Sequence, residues 1–189
     1  MASKYDEREY AADLFALSSN ARHTGCMPTP APLDVEEELL WRSLMRLIVT
    51  LLRAMNDDLE SSTELNITEY RVLMYLSEAP DRHLRMSDLA DQAALSAGRI
   101  TRVVDDLNKR GLVTKQPCPD DGRSMLATLT EQGLSTLKRA YPHLLLSVRT
   151  NVFDHATSEE IRYAGPMLKR FADAVDATHP PRPPRTAKR

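Results

Sequence analysis

From Asp34 onward the chain repeats apolar positions with a helical period. Leu40, Leu44, Leu47, Leu51 and Met55 recur at spacings of three and four, and Trp41, Ile48 and Leu52 widen the stripe until it can face more than one partner. Asp34 stands ahead as a cap, and Glu36, Glu37 and Glu38 put carboxylates at the positive end of the helix dipole. The pattern breaks at "ESSTELN" and resumes in "EYRVLMYLSEAP", where Tyr70, Leu73, Met74 and Leu76 predict a second helix that starts at Thr68 and stops before Pro80. "DRHLRM" is short enough to pair as a strand. Ser87 then precedes a brief helix, "DLADQAAL", with Leu89, Ala90 and Ala93 inward.

Ser96 caps the next helix, "AGRITRVVDDLNKRG", which Gly111 ends at the C′ position. Ile100, Val103, Val104 and Leu107 share one face, leaving Gly98, Arg99, Thr101, Arg102 and Asp105 on the other. Beyond it, "LVTKQPC" and "SMLATLT" are β-prone runs on either side of "PDDGR", which predicts a hairpin with its turn at Asp121-Gly122. Two more helices follow from Leu134, Leu137, Tyr141, Leu144 and Val148, and from Ile161, Ala164, Leu168, Phe171 and Val175. The stripes over 39–55, 134–152 and 161–175 are wider than one small lobe can bury, so the chain is expected to form a homodimer.

The ends differ from this body. Residues 1–33 form an acidic extension that closes on a linker, "MPTPAP", although Tyr10, Leu14 and Leu17 suit a short amphipathic helix within it. Residues 177–189 make a basic, proline-rich tail expected to be disordered. The formal charge of −2, from 25 basic and 27 acidic side chains, means that any affinity for phosphate comes from local charge. Cys26 and Cys118 form no CxxC pair, the histidines show no metal-ligand spacing, and no cofactor is expected. The start of the chain lacks a signal peptide's apolar core and the longest greasy run is too short to span a bilayer, so a cytoplasmic protein is expected.

Residues 87–110 have the form of a helix-turn-helix, whose second helix lies in the DNA major groove with its N-terminal residues toward base edges. Ala97 and Gly98 let the backbone approach a duplex, the capped N-terminus offers N–H groups to phosphate, and an arginine fork matches guanine O6 and N7. A hairpin beside that helix can rest in the neighbouring minor groove, with Arg123 at its tip.

In order, "LNITEYRVLMYL", "LADQAALSAGRITRVVDDLNKRGLV" and "DDGRSMLATLTEQG" resemble the winged helix-turn-helix of the MarR (multiple antibiotic resistance regulator) family. The resemblance is carried by Leu95, Ser96, Thr101 and Arg102, by "RGLV", by Asp121 and Arg123 of the wing, and by Leu129, Thr130 and Gly133 of the "LT..G" that opens the next helix. It implies a mainly α fold with a small β-hairpin wing. The winged helix-turn-helix over 61–133 would be flanked by dimerisation helices at 34–60 and 134–176. The function implied is a sequence-specific transcriptional regulator, read as a repressor. It would bind a pseudopalindromic double-stranded operator as a homodimer and be released by a small aromatic or phenolic ligand. The DNA-binding set expected on this reading is Ser96, Gly98, Arg99, Thr101, Arg102, Lys109, Asp121 and Arg123. A ligand cleft implied by the same resemblance draws on Trp41, Met45, Arg46, Tyr70 and Met74, where Arg46 and Tyr70 offer a cation and a hydroxyl beside apolar walls.

Each assignment has a plainer competitor. Arg99 and Arg102 could pair with Asp105 and Asp106 on a solvated face, Arg123 could bond to Asp121 in a turn, and the ligand set could be ordinary packing. Two alternatives to ligand-responsive DNA reading stay open: a winged-helix protein-interaction module, and a redox-sensing regulator using Cys26, with Arg22 and His23 upstream. Cys118, between two prolines, is expected to be structural. An enzyme is not expected, because no nucleophile with a nearby base, Gly-rich phosphate loop or metal-ligand cluster appears.

Overall fold

The computed structural model describes residues 31–118 and 121–179, except for the side chains of 121–123. The N-terminal amphipathic segment, Cys26, and all but the first residues of the basic tail lie outside the described residues. In order come α1 (Val35–Ser62), α2 (Ile67–Glu78), a 3₁₀ turn (Pro80–Arg82), β1 (His83–Arg85), α3 (Met86–Gln92), α4 (Ala97–Lys109), β2 (Val113–Cys118), β3 (Asp121–Leu129), α5 (Glu131–Asn151), a second 3₁₀ turn (Phe153–His155) and α6 (Ser158–Thr178). The fold is thus mainly helical with a small antiparallel sheet in the order β1-β3-β2.

Two compact units divide within α1, at Arg42 and Ser43. In the first, Asp34 caps the helix as its sequence predicts: its Oδ1 accepts from Glu36 N and Glu37 N, both at 2.9 Å, and Glu37 returns a bond to Asp34 N at 3.0 Å. Glu38 pairs with Arg42 one turn on.

The second unit holds the core. Leu59 and Leu65 frame the α1–α2 connection, and Val72, Leu73 and Leu76 of α2 pack with Leu89 of α3 and with Ile100, Val104 and Leu107 of α4. Each of those aliphatic side chains contributes roughly 1.5–3 kcal/mol by leaving water. Ala127, Leu129 and Val113 close the sheet side of this cluster. α1 runs on to Ser62, two residues beyond the expected end at 60, and Thr63 closes it by donating both its amide and its hydroxyl to Leu59 O at 2.8 Å. The next helix is capped by Asn66 rather than started by Thr68: Asn66 accepts from Glu69 N at 2.9 Å while Glu69 reaches back to Asn66 N at 3.1 Å. A reciprocal cap satisfies two orphan amides together, which a lone threonine cannot do.

α3 starts one residue before Ser87 and ends at Gln92, because Ala94 turns to φ +53° and Leu95 N donates to Ala90 O at 2.9 Å. That left-handed alanine forms the turn of the helix-turn-helix. The hairpin also differs from expectation. Asp121 and Gly122 belong to β3, Asp121 pairs with Cys118, and the register shifts between Pro117 and Cys118, so the strands extend beyond the expected turn. The missing N–H of Pro117 explains why regular pairing fails there.

The exit of α4 joins the start of α5 through one close approach. Gly111, at φ +70°, lets Gly111 N donate to Asn108 O and Leu112 N to Leu107 O, both at 3.0 Å. Thr130 caps α5 by accepting from Gly133 N at 2.9 Å, and its own hydroxyl donates to Gly111 O at 2.8 Å. A Cβ on Gly133 would lie 2.1 Å from the Leu112 carbonyl oxygen and 2.8 Å from Leu129 Cδ1. α5 itself continues through Pro142 and α6 through Pro166, each without one backbone donor. α5 is tied to α1 by Ser147, whose hydroxyl donates to Asp58 Oδ2 at 2.6 Å, and by Asn151 at 3.3 Å.

Two substitutions follow from these backbone constraints. Gly133→Ala must push the Leu112 backbone away, and is expected to cost about 3 kcal/mol, the upper part of the usual overpacking range; a thermal melt unchanged within error would show that the approach is not tight. Ala94→Gly relieves the left-handed strain and should stabilise by about 1 kcal/mol, visible as a raised denaturation midpoint at unchanged slope.

Candidate nucleic-acid interface

The N-terminal half of α4 projects an exposed, small and cationic surface. Ser96 accepts from Arg99 N at 3.4 Å, and Ala97, Gly98, Arg99, Thr101 and Arg102 are all exposed. The space where a Gly98 Cβ would stand is open. Thr101 donates its hydroxyl back to Ala97 O at 2.8 Å, which fixes its rotamer and turns its methyl outward from that bond.

The acids that the competing solvated-face reading would pair with Arg99 and Arg102 are bonded elsewhere. Asp105 accepts from Lys115 of β2 at 2.7 Å, and Asp106 from Lys109 at 3.0 Å. Among the described residues neither carboxylate is paired with Arg99 or Arg102. Both arginines are exposed on α4. Lys109 lies near the other end of α4, where the adjacent Asp106 holds its ammonium protonated above the usual range.

The structure also brings in residues that sequence patterning missed. A cavity of about 300 Å³ beside α4 is lined by Arg85, Met86, Ser87, Thr101, Lys115, Ser124 and Met125. Arg85 joins it because β1 pairs with β3 in the register Arg85↔Leu126, a non-local fact. Arg71, also overlooked, donates to Ala93 O at 3.2 Å and sits over the Tyr75 ring, bracing the turn ahead of α4 from behind. Asp121 and Arg123 stand on β3, with their side chains outside the description.

The expected ligand residues are dispersed by burial. Trp41, Met45 and Arg46 lie exposed along α1, whereas Tyr70 is buried in the core and Met74 packs half-buried against it. Burial, with smaller contributions from Tyr141 and Glu78, raises the Tyr70 phenol above its usual range. A polar groove of about 450 Å³ is lined instead by Ser61–Glu64, Thr136, Arg139, Ala140 and His143. A second cavity, of about 610 Å³, lies against the outer face of the sheet and has Leu126 and Cys118 in its wall. Cys118 is a free, buried thiol. Among the described residues no cluster of His, Cys, Asp or Glu could hold a metal, and no helix is long and apolar enough to cross a membrane.

Comparison with known proteins agrees with this geometry. A sequence model of the MarR family matches residues 63–124, from the α1–α2 connection to the wing. The HTH-type transcriptional regulator MhqR of Bacillus subtilis (strain 168) is 30% identical over 132 residues, covering 67% of this chain and 89% of that protein. Among solved structures, Sco3205 of Streptomyces coelicolor, a MarR family transcriptional regulator in complex with DNA, superposes with a TM-score of 0.72 at 30% identity, over 85% of this chain and 97% of its own. AbsC, from the same organism, gives 0.70 at 29% identity over 78% and 99%. On this similarity the chain belongs to the MarR family of transcriptional regulators.

Proposed function

We propose that the chain is a sequence-specific DNA-binding regulator that reads a pseudopalindromic operator as a homodimer, with α4 in the major groove and the β2–β3 wing against the flanking minor groove. The observation that carries this is the charge arrangement on α4. Among the described residues Arg99 and Arg102 make no ion pair at a capped, small-residue helix start, while the neighbouring acids are occupied by Lys115 and Lys109. Such a surface suits a polyanion whose guanine edges match the guanidinium fork. Arg85 and Ser87 beside Thr101 supply further phosphate donors, and the similar Sco3205 protein was solved on DNA.

Dimerisation is supported by what the outer helices leave uncovered. α6 buries none of its residues, and Ile161, Tyr163, Leu168, Phe171 and Val175 are exposed along it. Tyr141, Leu145 and Leu146 extend that apolar surface on α5, and Leu47, Ile48, Val49 and Leu52 leave another on α1. A second copy would bury these in an isologous contact and set two α4 helices about one DNA turn, roughly 10 bp, apart.

Light scattering at micromolar concentration should give twice the chain mass of 21.3 kDa; a particle of one chain mass would end the two-fold reading. An operator selected from a random duplex pool then allows a salt titration. Arg102→Ala should lose about 1–3 kcal/mol per half-site and relax preference at particular base pairs. Arg123→Ala should weaken binding to operator and scrambled DNA alike and lower the log-log salt slope by about one per protomer. If Arg123→Ala matches wild type on both duplexes at every salt concentration, the wing makes no DNA contact.

A further inference from the structure

The C-terminal end of α4 is anchored in a different part of the molecule from its DNA-facing end. Arg110, its C-cap, donates from Nη1 to Glu69 Oε1 at 3.0 Å and from Nη2 to the Glu64 carbonyl at 2.8 Å. Glu69 is largely buried, and its other oxygen completes the reciprocal cap of α2 at Asn66 N. One guanidinium therefore joins the α4 end to both the α1–α2 connection and the start of α2.

That connection is stiff. Thr63 donates its hydroxyl to Leu59 O at 2.8 Å and accepts from Leu65 N at 3.1 Å; Ile67 N donates to Asn56 Oδ1 at 3.2 Å; and Leu65 is fully buried. Upstream, Asp58 is held to Ser147 and Asn151 of α5. Separate polar contacts thus tie α5 to α1 at Asp58, α1 to the α1–α2 connection at Thr63 and Asn56, and that connection to the end of α4 through Arg110. At the same end Gln132 of α5 donates to the Arg110 carbonyl at 3.4 Å, whereas Lys115–Asp105 ties α4 to the wing.

We infer that Arg110 is a positioning residue for operator reading, fixing the angle between the recognition helix α4 and the outer helices, and hence the half-site spacing that a dimer accepts. The inference rests on the two-fold reading above. Its leverage is geometric: Arg99 lies about 16 Å along the axis from Arg110 at roughly 1.5 Å per residue. A tilt of about 10° at the anchored end therefore moves the arginines by about 3 Å, close to the roughly 3.4 Å between base pairs on one strand. Residues that bridge two rigid bodies alter coupling without touching either ligand, and only a coupling measurement distinguishes this from plain support.

The test uses full-length protein on the selected operator, on the same operator with its spacer longer or shorter by one base pair, and on an isolated half-site. Arg110→Lys keeps a charge beside Glu69 but cannot make both donations, and Glu69→Gln keeps a carbonyl for the α2 cap while removing the ion pair. Wild type should prefer its own spacing by about tenfold or more. Both variants should shrink that ratio by about fivefold or more while half-site affinity stays within about twofold. A purely supporting role would lower all affinities together through the folded fraction and leave the ratio intact. That result, in variants shown to be folded by circular dichroism, overturns the inference alone. A wild type that binds every spacing equally overturns the two-fold reading itself, and the inference with it.

Discussion

The fold turns on the contact between the Leu112 carbonyl and Gly133. Leu112 follows the glycine that ends the recognition helix, and Gly133 lies in the first turn of α5, so their approach places the helix exit, the wing root and the long outer helix within a few ångströms. A side chain at 133 would stand 2.1 Å from that oxygen. Thr130 then uses one hydroxyl twice, accepting from Gly133 N and donating to Gly111 O, so that the cap of one helix also satisfies the end of another. Since buried backbone groups must be paired, this shared arrangement keeps the exit of α4 against the start of α5.

Charge is distributed around this frame so that a chain of net charge −2 presents a cationic surface locally. The acids on α4 are not absent; they are occupied. Lys115 on β2 takes Asp105, and Lys109 takes Asp106, so among the described residues neither acid pairs with Arg99 or Arg102 at the positive end of the helix dipole. The Lys115 pair is partly buried and ties wing to helix; exposed pairs such as Lys109–Asp106 add little stability by themselves. Their effect here is on the field in front of Arg99 and Arg102.

The outer helices obey a different constraint. α5 and α6 run through Pro142 and Pro166, each of which removes a backbone donor, yet both remain helical for 21 residues. For α5, the compensation is visible: Thr136, Leu137, Ala140 and Ser147 are buried on either side of Pro142. α6 has no such burial within one chain. Ile161, Leu168, Phe171 and Val175 stay exposed along it.

The sequence by itself determined the local elements whose causes are local. Period and caps placed Asp34, Ser96 and Gly111, fixed the inward face of Ile100, Val104 and Leu107, and separated the residues of the exposed face, because each depends on neighbours within about one helical turn. The motif order carried the family in the same way. Tertiary structure decided what depended on distant partners. It carried α1 on to Ser62, moved the cap of α2 to Asn66, and bent the turn at Ala94. It also brought Arg85 beside Thr101, gave Asp105 to a lysine ten residues away, and joined Arg110 to Glu64 and Glu69 more than forty residues back. No periodicity encodes such pairs, since which charge meets which is set only when the helices and the sheet have packed.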